Sequence, residues 1–305
     1  MENFIYDYYG YNINDLSNGT FKYEDYLFML AATSESEENI ERLNNLMNSL
    51  ANVYNGDIVY IVKNKYNKFI STSKDDNNIC LLTYKLSTNI DLNSFIKMHN
   101  TFKNQFNYTV SLQDIIILWD QRLEYIQNQC LVNLNFENDA HLILYEYTLY
   151  ALGLATNALQ YLSDIQIDYN RKSYSSTLTH RRIKKMDKFE LFNPFNLIID
   201  HSSRDLAELY KNDLIDFNTL IQICNSYYYT IDEYEYLLSR LFYPTFIFDV
   251  VEDIATDNTS YDHTSEIYYA IAKQNKQIDK IKEFYNSIIK NMNIRPIEWL
   301  KNFNK

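Results

Sequence analysis

Residues 178–209 read LTHRRIKKMDKFELFNPFNLIIDHSSRDLAEL, and this stretch decides the fold class. A short apolar approach ends at His180, and a basic loop follows over residues 184–188. The next apolar run leads to Asp200. A new helix is predicted to start near Asp205, because aspartate is favoured at helix starts. The stretch therefore predicts a histidine turn, a strand pair and a helix that begins with Asp-Leu-Ala.

The composition indicates a folded, acidic protein. The chain has 305 residues, of which 46% are hydrophobic, and its net charge is −12. This length suits one large domain or two lobes. A strongly acidic chain is a poor general binder of nucleic acid, so no nucleic-acid partner is expected. With 4 Gly and 3 Pro the sequence contains neither a Walker-type loop nor a G-x-G-x-x-G run, so a glycine-rich phosphate loop is not expected.

The three cysteines, Cys80, Cys130 and Cys224, are odd in number and far apart. This pattern is typical of reduced core residues in a cytoplasmic protein. The histidines occur singly, so no metal site is expected. The first ten residues, MENFIYDYYG, lack the basic and apolar segments of a signal peptide. Since no apolar run approaches about 18 residues, membrane insertion is not expected either.

The first 90 residues are predicted to form a small mixed lobe. Extended segments are predicted at residues 20–32, 57–62 and 78–84. A helix is predicted at residues 35–50, where apolar side chains recur at helical spacing.

Residues 91–305 are predicted to form a mainly helical lobe with long amphipathic helices. Pro244 is predicted to kink or break one of them. The predicted helices start at Ser111 and at about residues 138, 205, 216, 231 and 266.

Three segments carry a resemblance to a known family. Residues 150–162 read YALGLATNALQYL, residues 179–182 read THRR, and residues 200–208 read DHSSRDLAE. These segments resemble spore coat proteins of the YutH type, which are relatives of the CotS spore coat proteins. That family carries the aminoglycoside-phosphotransferase, kinase-like fold. The resemblance covers most of the chain, and its specific motifs lie between residues 150 and 208.

The resemblance implies an α+β, two-lobed protein-kinase-like fold, with a small N-lobe at residues 1–90 and a helical C-lobe at residues 91–305. It also implies a sporulation protein of a spore-forming Gram-positive bacterium. Such a protein is made in the mother-cell cytoplasm and then joins the spore coat, where other coat proteins are its expected partners.

The kinase positions that the resemblance implies are altered in this chain. Kinases of this type place an aspartate two residues after the histidine corresponding to His180, but Arg182 stands there, and it cannot accept a proton. The metal-binding aspartate is expected near Asn193 or Asn196, and an amide is a weaker magnesium ligand than a carboxylate. The position of the phosphate-binding lysine falls near Met29. These replacements favour a degenerate kinase-like site, that of a pseudokinase, for which no cofactor is expected.

Two remaining acids, Asp187 and Asp200, are candidates to substitute for the missing carboxylates. Asp200 ends the apolar run 197–199, which is where a metal-binding aspartate stands. The alternative is therefore a divergent phosphotransferase that uses ATP and magnesium on a small molecule or a coat protein. His180 is expected to be a hydrogen-bonded core histidine instead of a general base.

Asp205 has two compatible interpretations. In active relatives the aspartate at this helix start accepts hydrogen bonds from the backbone of the histidine turn and anchors the loop. Aspartate is also a favoured N-cap residue.

The basic residues near the histidine turn form either a patch that binds an anion or a partner protein, or a solvated loop that balances nearby acids. These residues are Arg181, Arg182, Lys184, Lys185 and Lys188.

Overall fold

The computed structural model describes residues 2–13, 15–17, 19–86, 90–134, 136, 138–257 and 261–301. Within these ranges the chain folds into two compact units. Unit 1 comprises Met1–Lys97 and Lys185–Leu197, and unit 2 comprises Met98–Lys184 and Ile198–Lys305.

Unit 1 is built on an antiparallel sheet with β5 at its centre. β5 pairs with β2 along one edge and with β3 and β4 along the other, and β1 extends the sheet beyond β2. The strands are β1 (Thr20–Tyr23), β2 (Tyr26–Ala32), β3 (Tyr60–Val62), β4 (Ile70–Thr72) and β5 (Asn78–Lys85).

The first helix of unit 1, α1 (Glu2–Tyr9), packs its buried Ile5 with Phe21 and Phe28 of the sheet. Helix α2 (Glu37–Val53) starts where the Ser36 side chain accepts a hydrogen bond from the backbone of Asn39 at 3.2 Å. The helix predicted at residues 35–50 coincides with α2, and the extended segments predicted at residues 20–32, 57–62 and 78–84 coincide with β1 and β2, β3 and β5. The sequence did not predict α1 or the three-residue strand β4, because neither is long enough to show a clear periodic pattern.

The next α-helices along the chain are α3 (Leu92–Phe102), α4 (Leu112–Tyr125), α5 (Asp139–Asp168) and the short α6 (Lys188–Phe192). The later helices are α7 (Ser203–Lys211), α8 (Phe217–Ser226), α9 (Ile231–Phe242), α10 (Thr245–Thr256), α11 (Thr264–Asn291) and α12 (Glu298–Lys301). In unit 2 the long helix α5 packs against α4, α9, α10 and α11, so it forms the centre of the helical core.

Local sequence signals account for the helix boundaries in unit 2. The Ser111 hydroxyl accepts from the backbone of Asp114 at 3.2 Å, and Thr230 forms a capping box with the side chain three residues later. Pro244 separates α9 from α10. The predicted break at Pro244 is confirmed, since proline cannot donate the next helical hydrogen bond.

Two short strand pairs position the histidine turn. β6 (Thr109–Ser111) pairs with β7 (Ser173–Ser175), and β8 (Thr177–His180) pairs with β9 (Leu197–Asp200). β8 therefore ends at His180 and β9 ends at Asp200. Both side chains are buried.

Across the described part of the chain, no helix has both the length and the apolar character needed to cross a lipid bilayer. The three cysteines are buried and unpaired with one another.

Candidate functional site

Asp205, in the first turn of α7, joins two buried histidines. Its Oδ1 accepts a hydrogen bond from the His180 backbone at 2.8 Å, and its Oδ2 lies 2.6 Å from His180 Nδ1. The same Oδ2 lies 2.9 Å from His99 Nε2. Burial by itself raises the pKa of the Asp205 carboxyl, but His180 and His99 outweigh it and hold the pKa well below its usual range. An ionised Asp205 therefore ties the histidine turn to α7.

Both carboxylate oxygens of Asp200 form ion pairs with arginines. Its Oδ1 accepts from Arg240 at 2.7 Å, and its Oδ2 accepts from Arg204 at 3.0 Å. Burial raises the pKa of Asp200, but the two guanidinium groups lower it by more, so the carboxyl is ionised. Arg204 also donates to the His180 carbonyl at 2.8 Å. A magnesium ion at Asp200 would have to displace these arginines.

Arg182 is held by a bidentate ion pair with Asp249 of α10. Its Nε and Nη2 donate to the two carboxylate oxygens at 2.7 and 2.6 Å. Arg122 of α4 donates to Asp249 at 2.8 Å and makes a second bidentate pair with Glu252 at 2.7 and 2.6 Å. The position two residues after His180 thus carries a fixed cation, which can stabilise negative charge but cannot accept a proton.

The other candidate positions lie in unit 1. Asp187 caps α6, because its Oδ1 accepts from the Glu190 backbone at 2.8 Å. Asn193 ends α6, and its Oδ1 accepts from the Phe195 backbone at 3.1 Å. Asn196 lies in the turn that follows, and its backbone N–H donates to the backbone carbonyl of Asn193 at 2.9 Å. Met29 is a half-buried residue of β2. Asp187 and Asn193 therefore have local structural partners.

The predicted basic patch contains exposed and buried residues. Arg181, Lys184 and Lys185 are exposed, and Lys185 pairs with Asp187 at 2.8 Å. Lys188 is buried, with its ammonium group paired to Asp57 and donating to the Lys85 carbonyl at 2.8 Å. Arg182 is half-buried and pairs with Asp249, so the exposed part of the patch consists of the other three residues.

Unit 2 contains a cavity of about 390 Å³ whose walls come from α4, α7, α9 and the segment leading into α10. Its lining residues are Leu118, Trp119, Gln121, Arg122, Tyr125, Arg182, Arg204, Ala207, Glu208, Lys211, Arg240, Tyr243 and Thr245. Burial lowers the pKa of Lys211 to about 7 and raises the pKa of Tyr243 to about 12, so the tyrosine hydroxyl keeps its proton at neutral pH.

Sequence reasoning missed several residues of this site. His99, Arg122, Arg240 and Asp249 lie far from residues 178–209 in the chain. Isolated polar residues in amphipathic helices usually face solvent, so the sequence offered no signal for their burial. Among the described side chains, no group of three or more His, Cys, Asp or Glu could hold a metal ion.

Two sequence comparisons identify relatives of this chain. A family model described as "Spore coat putative kinase YutH" matches residues 2–291. The endospore coat-associated protein YutH of Bacillus subtilis (strain 168) is 27% identical over 175 residues, which cover 50% of this chain and 50% of that protein. The alignment therefore spans about half the length of this curated relative.

Two solved structures share the fold at low sequence identity. An aminoglycoside phosphotransferase from Alicyclobacillus acidocaldarius matches with a TM-score of 0.52 and 12% identity, covering 89% of this chain and 91% of that chain. A spectinomycin phosphotransferase, in its AMP-bound complex, matches with a TM-score of 0.50 and 12% identity, covering 94% and 93%. The predicted α+β kinase-like fold is thereby confirmed. Because the family model matches residues 2–291 of 305, the chain belongs to the spore coat putative kinase YutH family.

Proposed function

We propose that this chain is a structural or interaction protein of the spore coat whose kinase-like site does not transfer phosphate. The family description and the name of the Bacillus subtilis relative support coat association. On this proposal the protein is made in the mother-cell cytoplasm and then joins the coat, where other coat proteins are its partners. No cofactor takes part.

The observation that carries the proposal is that the side chains at two positions of unit 2 are held in ion pairs. Phosphoryl transfer needs a carboxylate that orients the nucleophile and a carboxylate that holds magnesium. Arg182 stands where the first is expected and is fixed on Asp249. Asp200, at the end of β9, is neutralised by Arg204 and Arg240.

A divergent phosphotransferase acting on a small molecule or a coat protein is the second candidate. Asp200 favours it, because a carboxylate at the end of a strand beside the histidine turn suits a metal ligand. Under this alternative, ATP and magnesium bind at Asp200 after the arginines move, and Asp187 is a further candidate acid.

The first prediction concerns nucleotide binding. A ligand that binds only the folded state raises stability by about 2.7 kcal/mol at one hundred times its Kd. We expect saturating ATP with magnesium to leave the Tm of the purified protein unchanged, because the metal carboxylate is already paired. Thermal melts with and without magnesium measure this.

The spectinomycin phosphotransferase, melted under the same conditions, provides a positive control. A magnesium-dependent rise in Tm that disappears in Asp200→Asn, together with release of ADP, would establish the phosphotransferase alternative.

The second prediction concerns coat partners. Charge reversal of the exposed residues Lys184 and Lys185 is expected to weaken docking on an acidic coat protein by roughly two- to thirtyfold, since each exposed ion pair contributes about 0.2–1 kcal/mol. Fluorescent fusions in sporulating Bacillus subtilis report the fraction of protein at the spore surface.

The matched control reverses two other exposed lysines, Lys22 and Lys74. Equal coat localisation of both double variants and the parent would assign the basic residues to a solvated loop.

A further inference from the structure

The cavity in unit 2 has a strongly basic wall in an acidic protein. One acid, Glu208, lines it together with five basic residues. The basic residues are Arg122, Arg182, Arg204, Lys211 and Arg240. The chain as a whole carries a net charge of −12, so this wall departs from the overall composition.

The carboxylates that pair with the arginines do not line the cavity. Asp200 holds Arg204 and Arg240, while Asp249 holds Arg122 and Arg182. Neither acid is a lining residue. The acids thus fix the guanidinium groups in place, while the cavity surface itself presents cations. Arginine side chains bind carboxylate and phosphate oxyanions. Since these arginines are already fixed, binding such an oxyanion costs little side-chain entropy.

Two residues of the lining each contain a buried polar atom that makes no hydrogen bond to any residue that the structure describes. They are Arg240, at its Nε, and Thr245, at its Oγ1. The exposed fractions of these residues are 5% and 7%. Buried polar groups almost always have partners, so two such atoms beside one cavity favour a polar ligand. The Arg240 Nε can only donate, which again favours an acceptor such as an oxyanion.

The remaining wall is aromatic and apolar. Trp119 stacks on Tyr243 with ring centroids 4.2 Å apart and an interplanar angle of 29°. Leu118, Tyr125 and Ala207 continue this surface. The volume of about 390 Å³ lies in the range of small-molecule sites, which are mostly apolar with a few placed polar groups.

We propose that this cavity binds a small organic anion, with a carboxylate or phosphate head at the arginines and a planar apolar body against Trp119 and Tyr243. Arg240 and Thr245 supply the hydrogen bonds that are unused in the free protein. Binding involves no nucleotide and no magnesium, so the proposal holds or fails independently of the proposed function.

Isothermal titration of the full-length protein tests the proposal with defined probes. Phenyl phosphate and benzoate carry the two anionic heads, and inorganic phosphate and neutral benzamide each lack one feature. We expect one of the first two to bind at least roughly tenfold more tightly than benzamide, because a charged hydrogen bond contributes about 1.5–3 kcal/mol. We expect the same margin over inorganic phosphate, because burying an aromatic ring contributes roughly 1.5–3 kcal/mol. The tighter of the two identifies the head group.

Variants then locate the binding. Thr245→Val removes a hydroxyl that has no partner in the free protein, so we expect an unchanged Tm and a Kd raised roughly tenfold. Tyr243→Phe removes a hydroxyl that also contacts Arg122, and we expect the same rise in Kd. Gln121→Glu adds a negative charge at an exposed lining position and should also weaken binding, whereas Gln121→Lys should strengthen it. Thr256→Val, at the exposed end of α10 outside the cavity, is the matched control.

Two results would overturn the proposal. One is the absence of binding by every probe at millimolar concentration. The other is binding that is equally strong for benzamide, or equal in Thr245→Val, Tyr243→Phe and the Thr256→Val control, because the anion would then not be recognised in this cavity.

Discussion

Replacing Asp205 with asparagine is expected to lower the free energy of unfolding by about 3–5 kcal/mol, because the change breaks a buried network of hydrogen bonds to a carboxylate. The carboxylate accepts from the His180 backbone and contacts ring nitrogens of both His180 and His99. An asparagine side chain has one acceptor oxygen, so it cannot satisfy the same contacts. Urea denaturation followed by circular dichroism measures the loss.

Asp279→Asn is the matched control, because the Asp279 side chain is 82% exposed. Exposed substitutions of this kind usually change stability by less than about 0.5 kcal/mol. Equal effects of the two substitutions would show that the histidine turn does not depend on Asp205.

The stabilisation that Asp205 provides is also expected to depend on pH. The pKa of Asp205 in the folded protein is held well below that of an unfolded aspartate, about 3.9, chiefly because His180 and His99 outweigh burial. Between the two pKa values the unfolded chain binds more protons, so the stabilisation is fully present above about pH 5 and is lost as the pH falls toward the folded pKa. The stability difference between wild type and Asp205→Asn should therefore shrink below about pH 4.

The pair of Asp200 and Arg240 carries the second large expected effect. Each side chain is 5% exposed, and the atoms that pair lie 2.7 Å apart. Asp200→Asn or Arg240→Met alone is expected to cost about 3–5 kcal/mol, because either change leaves a buried charge with fewer partners. The double variant should be less destabilised than the sum of the single variants by about 1.5–3 kcal/mol.

The exposed pair of Arg42 and Glu38, with side chains 72% and 74% exposed, gives the reference cycle. Its coupling should lie below about 0.5 kcal/mol, as for exposed helical pairs. Strictly additive losses for Asp200 and Arg240 would contradict the structural role and would return Asp200 to the set of candidate metal ligands.

The arrangement of these arginines links the two proposals for unit 2. The ion pairs that neutralise Asp200 and fix Arg182 also hold the guanidinium groups at the cavity wall. The proposed anion site therefore needs no change of fold. The ion pairs also offset the charges of the arginines on buried helix faces, where unpaired charges are costly.

Local patterns predicted much of the secondary structure. The cap of α4 at Ser111, the capping box at Thr230 and the break at Pro244 are each set by residues within a few positions of one another. The sequence motifs at residues 179–182 and 200–208 also identified the family. Such signals act over one turn or one strand, so they are readable without tertiary structure.

Tertiary structure alone decided which charges meet. Arg240 and Asp200 are 40 positions apart, and His99 and Asp205 are 106 apart. The helical patterns of α3 and α9 do not distinguish these buried polar residues from exposed ones. The sequence by itself therefore determined most of the longer elements, the family and the identities of His180, Arg182 and Asp205. Packing determined the charge network and the cavity, because pairing and burial depend on groups that only the folded helices bring within hydrogen-bonding distance.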